Sequence, residues 1–414
     1  MQPYQFSQSQ ALLRRATQVI PCGIYGHFGP APYTPLEHYP FFVEKAVGSR
    51  LWDVDGNEYI DYMCAYGPMV LGYGHPRVDE AYRKQMAEAD IASLASTRMV
   101  ELAELLVDLV PVADWAFFAK NGADVTNYAV MIARAATGRK KILAIGGGYH
   151  GTAPWMQAPG RHGCIAEDHE HVIRVAWNDV EAIEQAVGAH AGQIAAMIAS
   201  PYHHPIFADN AAPADGYWSQ VQQVLDREGI LLISDDVRCG FRLHLGGSNE
   251  KYGFKPDLIC FSKAIANGYA LSALVGTDAL KSDAAGVFHS GSFWYSAGSL
   301  AAAIACIEEL KAIDGPALLE QQGRKLLDGM TQLATAHGLD LRVTGEPAMP
   351  YLRLTDDPSL MLHQRFCGEC TRRGAYFTSH HNWFLSTAHT DDDIQQTLDI
   401  VDESLKAIRR ESSD

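Results

Sequence analysis

Long hydrophobic runs are absent from this sequence of 414 residues. Residues 299–307 are small and apolar, but this run is too short to cross a bilayer. The opening residues, MQPYQFSQSQALLRRA, contain no apolar core of the kind that a signal peptide needs. We therefore expect a protein of the cytoplasm with no membrane partner.

Positively charged residues are fewer than negatively charged ones, and the cysteine spacing does not indicate a disulfide framework. The sequence has 33 Lys and Arg residues against 49 Asp and Glu residues, which gives a formal net charge of −16. This acidity argues against nucleic acid or an anionic membrane as a partner. The eight cysteines follow no disulfide spacing, so a reducing compartment is the simplest setting.

Metal-ligand spacing is missing as well. Cys367 and Cys370 form a C-x-x-C without a second pair downstream, and two packed thiols are the better interpretation. His169 and His171 lie in a charged stretch, residues 161–177, without the partners of a zinc motif. We expect a solvated loop there, and no metal site.

The most informative stretch contains two apolar runs, residues 230–233 and 258–261, with the length and composition of buried strands. Asp235 and Asp236 follow the first run, and Lys263 follows the second. In an open α/β sheet, ligands bind in the crevice outside the carboxyl ends of the strands. The pattern therefore predicts that a carboxylate and an amine meet in a ligand site.

Lys263 and Asp235 together suit one cofactor. A lysine among apolar residues is costly to keep charged, so its pKa falls and its amine becomes nucleophilic. A carboxylate can pair with a protonated ring nitrogen. A Schiff-base lysine and an acid for a pyridinium nitrogen are the groups that a pyridoxal-phosphate enzyme needs from its protein. We therefore assign Lys263 and Asp235 as catalytic residues and pyridoxal 5'-phosphate as the cofactor.

Three short motifs in this stretch resemble those of the class III (subgroup II) aminotransferases, which are fold-type I pyridoxal-phosphate enzymes. The motifs are Asp235-Asp236-Val237, Gly240-Phe241-Arg242 and Ser262-Lys263. The nearest branch is similar to glutamate-1-semialdehyde aminomutase and its relatives. The resemblance covers nearly the whole chain.

The resemblance implies an α/β fold, with a large cofactor-binding domain built on a mostly parallel central sheet and a small α+β C-terminal domain. The expected boundaries are 1–70 for an N-terminal arm and hairpin that belong to the small domain, 71–300 for the large domain, and 301–414 for the small C-terminal domain. Asp55-Gly56 between alternating residues predicts the turn of that hairpin.

A phosphate site is predicted where a buried strand, residues 115–119, is followed by a short turn and then by a helical pattern. The turn consists of Asn121, Gly122 and Ala123. Free backbone N–H groups and the helix dipole favour an anion at such a start. In the resembling family this turn binds the cofactor phosphate, which implies the same role here. The resemblance also implies that Val237 contacts the cofactor.

The sequence GGGYHG at residues 146–151 follows a strand, residues 141–145, and fits the dinucleotide fingerprint G-x-G-x-x-G. That fingerprint requires a helix to begin at once, whereas Pro154 and Pro159 break helices here, so an NAD enzyme is discounted. In the resembling family, the aromatic residue of a Tyr-His-Gly motif stacks on the pyridine ring. The resemblance gives Tyr149 that role.

The resemblance also bears on assembly. The resembling enzymes carry a Gly-Thr-Phe motif whose threonine reaches the cofactor phosphate of the neighbouring subunit. Ser292 stands at that position and keeps the hydroxyl group. The resemblance therefore implies a homodimer with shared active sites.

Two departures from the family concern the substrate. His381 replaces the glutamate of the aminomutases, and residues 25–28 contain no arginine of the kind that carboxylate users place there. Glutamate-1-semialdehyde is therefore not the expected substrate. Tyr25, Tyr66, His203 and His381 predict an aromatic, hydrogen-bonding pocket. Such a pocket suits a sugar-like or aminocyclitol ketone, or an aromatic amine.

Arg238 replaces an apolar residue of the family. Its side chain could bind a carboxylate or lie on the surface, and we favour the surface.

Further along the chain, Thr390 and Asp393 have the spacing of a capping box at the start of the last helix. His389 beside them is assigned a structural role.

The expected function is that of a pyridoxal-phosphate-dependent aminotransferase. It would move an amino group between an amine donor and a ketone or aldehyde substrate in secondary metabolism. An aminomutase or epimerase with the same cofactor, which would consume no amino acceptor, is one alternative. A non-catalytic relative is another, because Asp236, Asn121 and Ser200 depart from the family motifs. The retained Asp235 and Lys263 argue against it.

Overall fold

A computed structural model of the protein describes residues 2–26, 29–355 and 357–411. The chain divides into two compact units. Unit 1 comprises Met1–His75, Ile206–Asn210 and Ala317–Asp414, and unit 2 comprises Pro76–Pro205 and Ala211–Pro316. His27 and Phe28, which belong to the arm discussed above, lie outside the described residues.

Helices and strands alternate along most of the chain. The helices are α1 Ser7–Val19, α2 Pro76–Glu88, α3 Thr97–Leu109, α4 Gly122–Thr137, α5 Val180–Ala189, α6 Tyr217–Glu228, α7 Ser248–Tyr252, α8 Lys281–Gly286, α9 Ala297–Ala312, α10 Gly315–Ala336, α11 Met361–Thr371 and α12 Asp391–Glu411. The strands are β1 Val43–Val47, β2 Arg50–Asp53, β3 Glu58–Asp61, β4 Trp115–Ala119, β5 Lys141–Ile145, β6 Val172–Val175, β7 Ile194–Ala199, β8 Leu231–Asp235, β9 Leu258–Phe261, β10 Ser272–Gly276, β11 Leu341–Glu346, β12 Met349–Leu354 and β13 Ala375–Tyr376.

Unit 2 is built on a seven-stranded sheet with the order β4-β10-β9-β8-β7-β5-β6. The neighbours from β6 to β9 pair in parallel, whereas β10 runs antiparallel to both β9 and β4. Parallel strands need helical crossovers, which cover both faces of the sheet. This architecture confirms the predicted α/β class with a mostly parallel central sheet.

Alternate residues of the central strands fill two separate cores. Ile198 and Ile233 pack on one face of the sheet with helix α4, and Met197 and Leu232 pack on the other face with α5 and α6. Because both faces are buried, these strands are continuous apolar runs rather than alternating ones. Their polar residues are therefore confined to the strand ends, where a ligand site can form.

Strand β6 corrects one expectation. Residues 161–177 were expected to form a solvated loop, but Val172–Val175 pairs in parallel with β5 at the edge of the sheet. The strand is only four residues long and carries Arg174, so its apolar pattern is weak in the sequence. Three of its four side chains are only half-buried, as befits an edge strand.

Unit 1 contains a four-stranded sheet with the order β1-β2-β3-β13 and a separate hairpin of β11 and β12. The predicted turn at Asp55-Gly56 is confirmed, because β2 and β3 pair antiparallel on either side of it. The predicted capping box is also confirmed. The backbone N–H of Thr390 donates to Asp393 Oδ2 at 3.0 Å, and the N–H of Asp393 donates to Thr390 Oγ1 at 3.1 Å.

The domain boundaries after residues 70 and 300 stay predictions. The first border between the two units falls after His75, and the residue 300 boundary falls inside helix α9, which unit 2 contains. A search of the helices in the described residues finds none that is both long and apolar enough to cross a membrane.

Candidate active site

A cavity of about 270 Å³ opens in unit 2 at the carboxyl ends of the strands. We call it the strand-end cavity. Its walls are formed by Asn121, Gly122, Ala123, Thr126, Tyr149, His150, Gly151, Thr152, Ser200, His204, Asp235, Val237, Arg238 and Lys263. Seven predicted site residues therefore meet in one place: Asn121, Gly122, Ala123, Tyr149, Asp235, Val237 and Lys263.

Lys263 reaches the cavity from the turn that follows strand β9. Its backbone φ is 50°, in the left-handed region that a residue with a side chain rarely adopts. Strained backbone of this kind is concentrated at functional sites. Burial, and then the neighbouring Arg238 guanidinium, lower the pKa of Lys263 to about 7, although Asp235 acts in the opposite direction. A large share of the amine is thus neutral and nucleophilic near neutral pH.

Asp235 ends strand β8 and is almost fully buried. Its Oδ2 lies 2.6 Å from Nδ1 of His150, and its Oδ1 accepts a hydrogen bond from the N–H of Val237 at 3.2 Å. His150 was not among the site residues predicted from the sequence. Its place next to Tyr149 after a strand end was the available signal. The pair leaves a carboxylate at the cavity wall in a fixed orientation.

The start of helix α4 forms one end of the cavity. A Cβ atom built on Gly122 would lie 2.7 Å from Cγ1 of Val237, and one built on Gly151 would lie 2.7 Å from the Cβ of Ala123. Real Cβ atoms do not approach this closely, so a side chain at either position would require its neighbours to move. The helix begins with the N–H of Asn121 donating to Asp124 Oδ2 at 2.8 Å.

This end of the cavity fits a phosphate group. The N-terminus of a sixteen-residue helix supplies backbone N–H groups and the positive end of the helix dipole. The glycines allow a ligand to approach the backbone closely. Together with a neutral lysine and an oriented carboxylate, this cradle suits pyridoxal phosphate on the chemistry of its donor groups.

Tyr149 follows strand β5 and lines the cavity with 55% of its surface exposed. Burial of part of the side chain raises the pKa of its hydroxyl group above the ordinary value. A large exposed ring beside a cavity offers a face on which an aromatic ligand can stack. Its predicted role, stacking on the pyridine ring, stays a prediction.

Arg238 corrects a second expectation. Its side chain was expected at the surface, but it is only 8% exposed and lines the strand-end cavity. Arg238 lies in the turn that directly follows strand β8. Nη1 of Arg238 lies 2.8 Å from Nδ1 of His204 and donates to the carbonyl oxygen of His204 at 3.0 Å.

Asp236 lies next to the site but does not line the cavity. It is 1% exposed, and its Oδ2 accepts a hydrogen bond from the N–H of Ser248 at 2.7 Å. Burial, with a smaller contribution from Asp235, raises the pKa of Asp236 to about 7, against the hydrogen bonds from Ser248. Asp236 therefore titrates near neutrality inside the turn that carries Asp235.

The predicted substrate residues are distributed over both units. Tyr66 and His381 meet in unit 1, where their rings are in edge contact at 5.2 Å between centroids. Tyr25 also belongs to unit 1 and is largely exposed. His203 lies in unit 2 next to Trp177, with 5.8 Å between ring centroids, and does not line the strand-end cavity.

Tyr66 and His381 are part of a larger group of rings that the sequence analysis did not assemble. We call it the aromatic cluster, and it consists of Tyr33, Tyr66, Phe207, His380 and His381. Tyr33 lies 4.1 Å from His380 and 5.0 Å from Phe207 between ring centroids. Tyr66 and Phe207 have φ values of 63° and 58°. Left-handed backbone at two bulky residues of one cluster is a mark of functional constraint.

Ser292 lies in an exposed turn of unit 2 and does not line the strand-end cavity. Its predicted role requires a second chain, so the single chain leaves that role as a prediction.

Comparison with known proteins decides the family. The class-III aminotransferase family matches residues 33–405. This chain belongs to the class-III aminotransferases. The aminopentol aminotransferase of Sphingopyxis macrogoltabida is 40% identical over 405 residues, which cover 98% of this chain and 95% of that protein. The glutamate-1-semialdehyde 2,1-aminomutase of Methanothermobacter thermautotrophicus is 30% identical over 428 residues, which cover 97% of this chain and 100% of that protein.

A solved structure is similar over the same length. The FumI protein of Sphingopyxis sp. MTA144, in its internal aldimine form with PLP, has a TM-score of 0.95 and 39% sequence identity. The match covers 99% of this chain and 98% of that one. This class-III aminotransferase therefore uses pyridoxal phosphate, and its fold is the one predicted from the sequence.

Proposed function

We propose that the strand-end cavity is the active site and that Lys263 binds the cofactor covalently. The observation that carries this proposal is the meeting of Lys263, Asp235 and the start of helix α4 around one cavity. In the same proposal, Asp235 pairs with the pyridine nitrogen, and Asn121, Gly122 and Ala123 hold the phosphate. Tyr149 and Val237 contact the ring.

The side chains of the cavity then have distinct tasks in the transfer of the amino group. Pyridoxal phosphate supplies an aldehyde that binds amines covalently and a ring that withdraws electrons from the substrate. Asp235, oriented by His150, keeps the ring nitrogen protonated. Once the substrate amine has displaced it, the neutral Nζ of Lys263 removes the proton from the substrate carbon that carries the nitrogen. A pKa of about 7 suits this amine to both accepting and returning a proton.

We propose an amine with hydroxyl groups, or the corresponding ketone or aldehyde, as the substrate class. The relative at 40% identity is named for aminopentol, which supports an enzyme of secondary metabolism. Tyr25, Tyr66, His203 and His381 stay proposed substrate contacts on the sequence argument alone.

We propose that the protein works as a homodimer in the cytoplasm. Phe293 and Tyr295 expose 64% and 49% of their surface on unit 2. Ser296, beside them, donates to Asp90 Oδ1 at 2.7 Å and so joins their loop to the one that exposes Leu94. Large exposed apolar side chains are typical of a protein interface when they form one patch. Ser292 precedes Phe293 in the same loop and would bind the cofactor phosphate of the partner subunit.

A visible absorbance spectrum of the purified protein tests the proposed function. We expect a band from the bound cofactor that bleaches when an amine donor is added, because the amino group moves to the cofactor. A band that shifts with amines but never bleaches would favour the aminomutase or epimerase. A protein that shows no band, even after addition of pyridoxal phosphate, would be a non-catalytic relative.

A further inference from the structure

A second, smaller cavity lies beside the strand-end cavity in unit 2. Its volume is about 10 Å³, which is room for one water molecule. We call it the side cavity. His150, Ser200 and His204 line both cavities. The side cavity is therefore in contact with His150, the residue that holds Asp235.

Two ring nitrogens at the side cavity are buried without a partner. Nε2 of His150 and Nε2 of His204 have no hydrogen-bond partner among the described residues, and the two residues are only 6% and 9% exposed. An unpaired buried polar atom costs about 1–3 kcal/mol, and buried polar groups are nearly always paired with protein or ordered water. These two nitrogens therefore require a common partner in the side cavity.

The proton of His204 can be placed from its neighbour. Nη1 of Arg238 lies 2.8 Å from Nδ1 of His204, and an arginine donates hydrogen bonds but accepts none, so Nδ1 is the acceptor. Burial, and then the Arg238 charge, keep the pKa of His204 well below its ordinary value, so the ring is neutral. A neutral imidazole that accepts at Nδ1 carries its proton on Nε2. His204 thus presents an N–H to the side cavity.

His150 presents the opposite polarity. Its Nδ1 lies 2.6 Å from Oδ2 of Asp235, and a carboxylate only accepts, so Nδ1 carries a proton. In the neutral ring Nε2 is then an acceptor. One water molecule that accepts from His204 and donates to His150 satisfies both nitrogens. Ser200 adds a hydroxyl group at the same cavity, and a buried water usually makes about three hydrogen bonds.

We propose that one buried water in the side cavity joins His204 to His150. A directed hydrogen-bond chain then runs from Arg238 to Asp235, and every donor along it faces an acceptor. The chain fixes the tautomer of His150 and so holds the carboxylate of Asp235 in place. His204 is a positioning residue, which acts on Asp235 through His150. The inference rests on the proposed function, in which Asp235 pairs with the ring nitrogen of the cofactor.

Two measurements on the wild-type protein test the chain, and neither requires the cofactor. In a high-resolution crystal structure, we expect a water within hydrogen-bond distance of both Nε2 atoms. In protein labelled with nitrogen-15 only in histidine, NMR distinguishes protonated from unprotonated ring nitrogens. We expect the proton of His150 on Nδ1 and that of His204 on Nε2. Variants at the two positions assign the signals.

The same variants show whether His204 acts through His150. His204→Asn keeps an acceptor close to the position of Nδ1 but removes the N–H at the side cavity, whereas His204→Gln keeps an N–H there. His150→Asn keeps a donor for Asp235 without a nitrogen at the side cavity. His162→Asn changes an exposed histidine of unit 2 outside both cavities and is the matched control.

We expect His204→Asn to raise the dissociation constant of pyridoxal phosphate about three- to tenfold, the effect of losing one neutral hydrogen bond. His204→Gln should lie between wild type and His204→Asn, and His162→Asn should match wild type. In the His150→Asn background, His204→Asn should have no further effect, because the chain is already broken there. Such non-additivity is expected of residues that act through one another.

Four outcomes would overturn the proposal. A side cavity without a water, or a wild-type His150 with its proton on Nε2, would remove the chain. Additive effects of His204→Asn and His150→Asn would show that His204 acts independently of His150. An unchanged dissociation constant in a folded His204→Asn variant would exclude the positioning role. A wild-type protein that binds no pyridoxal phosphate would instead contradict the proposed function, and the crystal structure and NMR would still decide on the chain.

Discussion

Burial decides the chemistry of single residues at the ends of strands β8 and β9. It lowers the pKa of Lys263 and raises the pKa of Asp236, in both cases to about 7. Desolvation disfavours the charged form of either group, so the amine loses its proton more easily and the carboxylic acid less easily. Two side chains that ordinarily titrate far from neutrality thus change charge within the physiological range.

Asp236 should make the stability of the protein pH-dependent. Its pKa is 3.8 in the unfolded chain and about 7 in the folded one, so the folded state binds more protons between these values. The free energy of unfolding therefore falls as pH rises through this window, by up to about 1.4 kcal/mol per pH unit. Asp236→Asn is neutral in both states, so it should be more stable than wild type at about pH 8 and lose that advantage at about pH 4.

Chemical denaturation of both proteins at several pH values measures this difference. Asp328→Asn changes an exposed carboxylate of helix α10 and serves as the control; its difference from wild type should vary little with pH. The prediction is contradicted if the difference between Asp236→Asn and wild type stays constant from about pH 4 to about pH 8.

The sequence predicted the site residues whose position follows from strand ends. Lys263 and Asp235 come directly after apolar runs, and the edge of a parallel sheet brings such positions together. Arg238 was placed wrongly because the direction of a side chain within a turn has no periodic signature. The aromatic cluster was not assembled because Phe207 and His380 are far apart in the chain and meet only through tertiary packing.

Among the secondary-structure elements, the junction of strand β4 and helix α4 constrains the site through close packing. Gly122 is the first residue of helix α4 and packs directly against Val237. Val237 belongs to the turn after strand β8. The proposed phosphate cradle thus depends on two elements that touch at a glycine. A side chain there must displace Val237, which lies two residues after the carboxylate of Asp235.

Gly122→Ala should weaken cofactor binding. The new Cβ would lie 2.7 Å and 3.0 Å from the two Cγ atoms of Val237, and overpacking of this kind costs about 1–3 kcal/mol. We expect the dissociation constant of pyridoxal phosphate to rise on the order of tenfold or more, measured by titrating the cofactor onto the stripped protein and recording the absorbance.

Gly188→Ala in helix α5 is the matched control. A Cβ atom at Gly188 meets nothing within 4 Å, and alanine is the better helix former by about 0.5–1 kcal/mol. This variant should bind the cofactor as wild type does and be equally or more stable. Equal cofactor affinity in Gly122→Ala and Gly188→Ala would argue against the cradle.

Several strands of unit 2 could be predicted from the sequence, and the misses have a common reason. Strands β4, β5 and β9 have the predicted bounds, because each is an apolar segment bounded by turn residues. Strands β6 and β13 were missed. Both are short, and their strand conformation depends on pairing with β5 and β3 rather than on local sequence.

At the scale of the whole molecule, the proposed homodimer makes a direct prediction. Phe288 is 87% exposed on unit 2, in the same loop region as Phe293. We expect light scattering after gel filtration to give twice the mass of the chain. Phe288→Ser should shift the protein toward the monomer, because a buried phenylalanine contributes about 1.5–3 kcal/mol per chain to an interface.

The control for this prediction is Ile165→Ser, which changes another exposed apolar residue of unit 2 in the loop between β5 and β6. It should leave the mass unchanged. A wild-type protein that stays monomeric at high concentration and nevertheless carries out both half-reactions would contradict the shared active site and the role of Ser292.

Chemical trapping can show whether Lys263 forms the covalent bond to the cofactor. The protein, saturated with pyridoxal phosphate, is reduced with borohydride to fix the bond between lysine and cofactor, then digested and analysed by mass spectrometry. We expect the added mass on the peptide that contains Lys263, and on no peptide of a Lys263→Ala variant treated in the same way. Stoichiometric modification of a different lysine, or a wild-type protein that acquires no added mass, would contradict it.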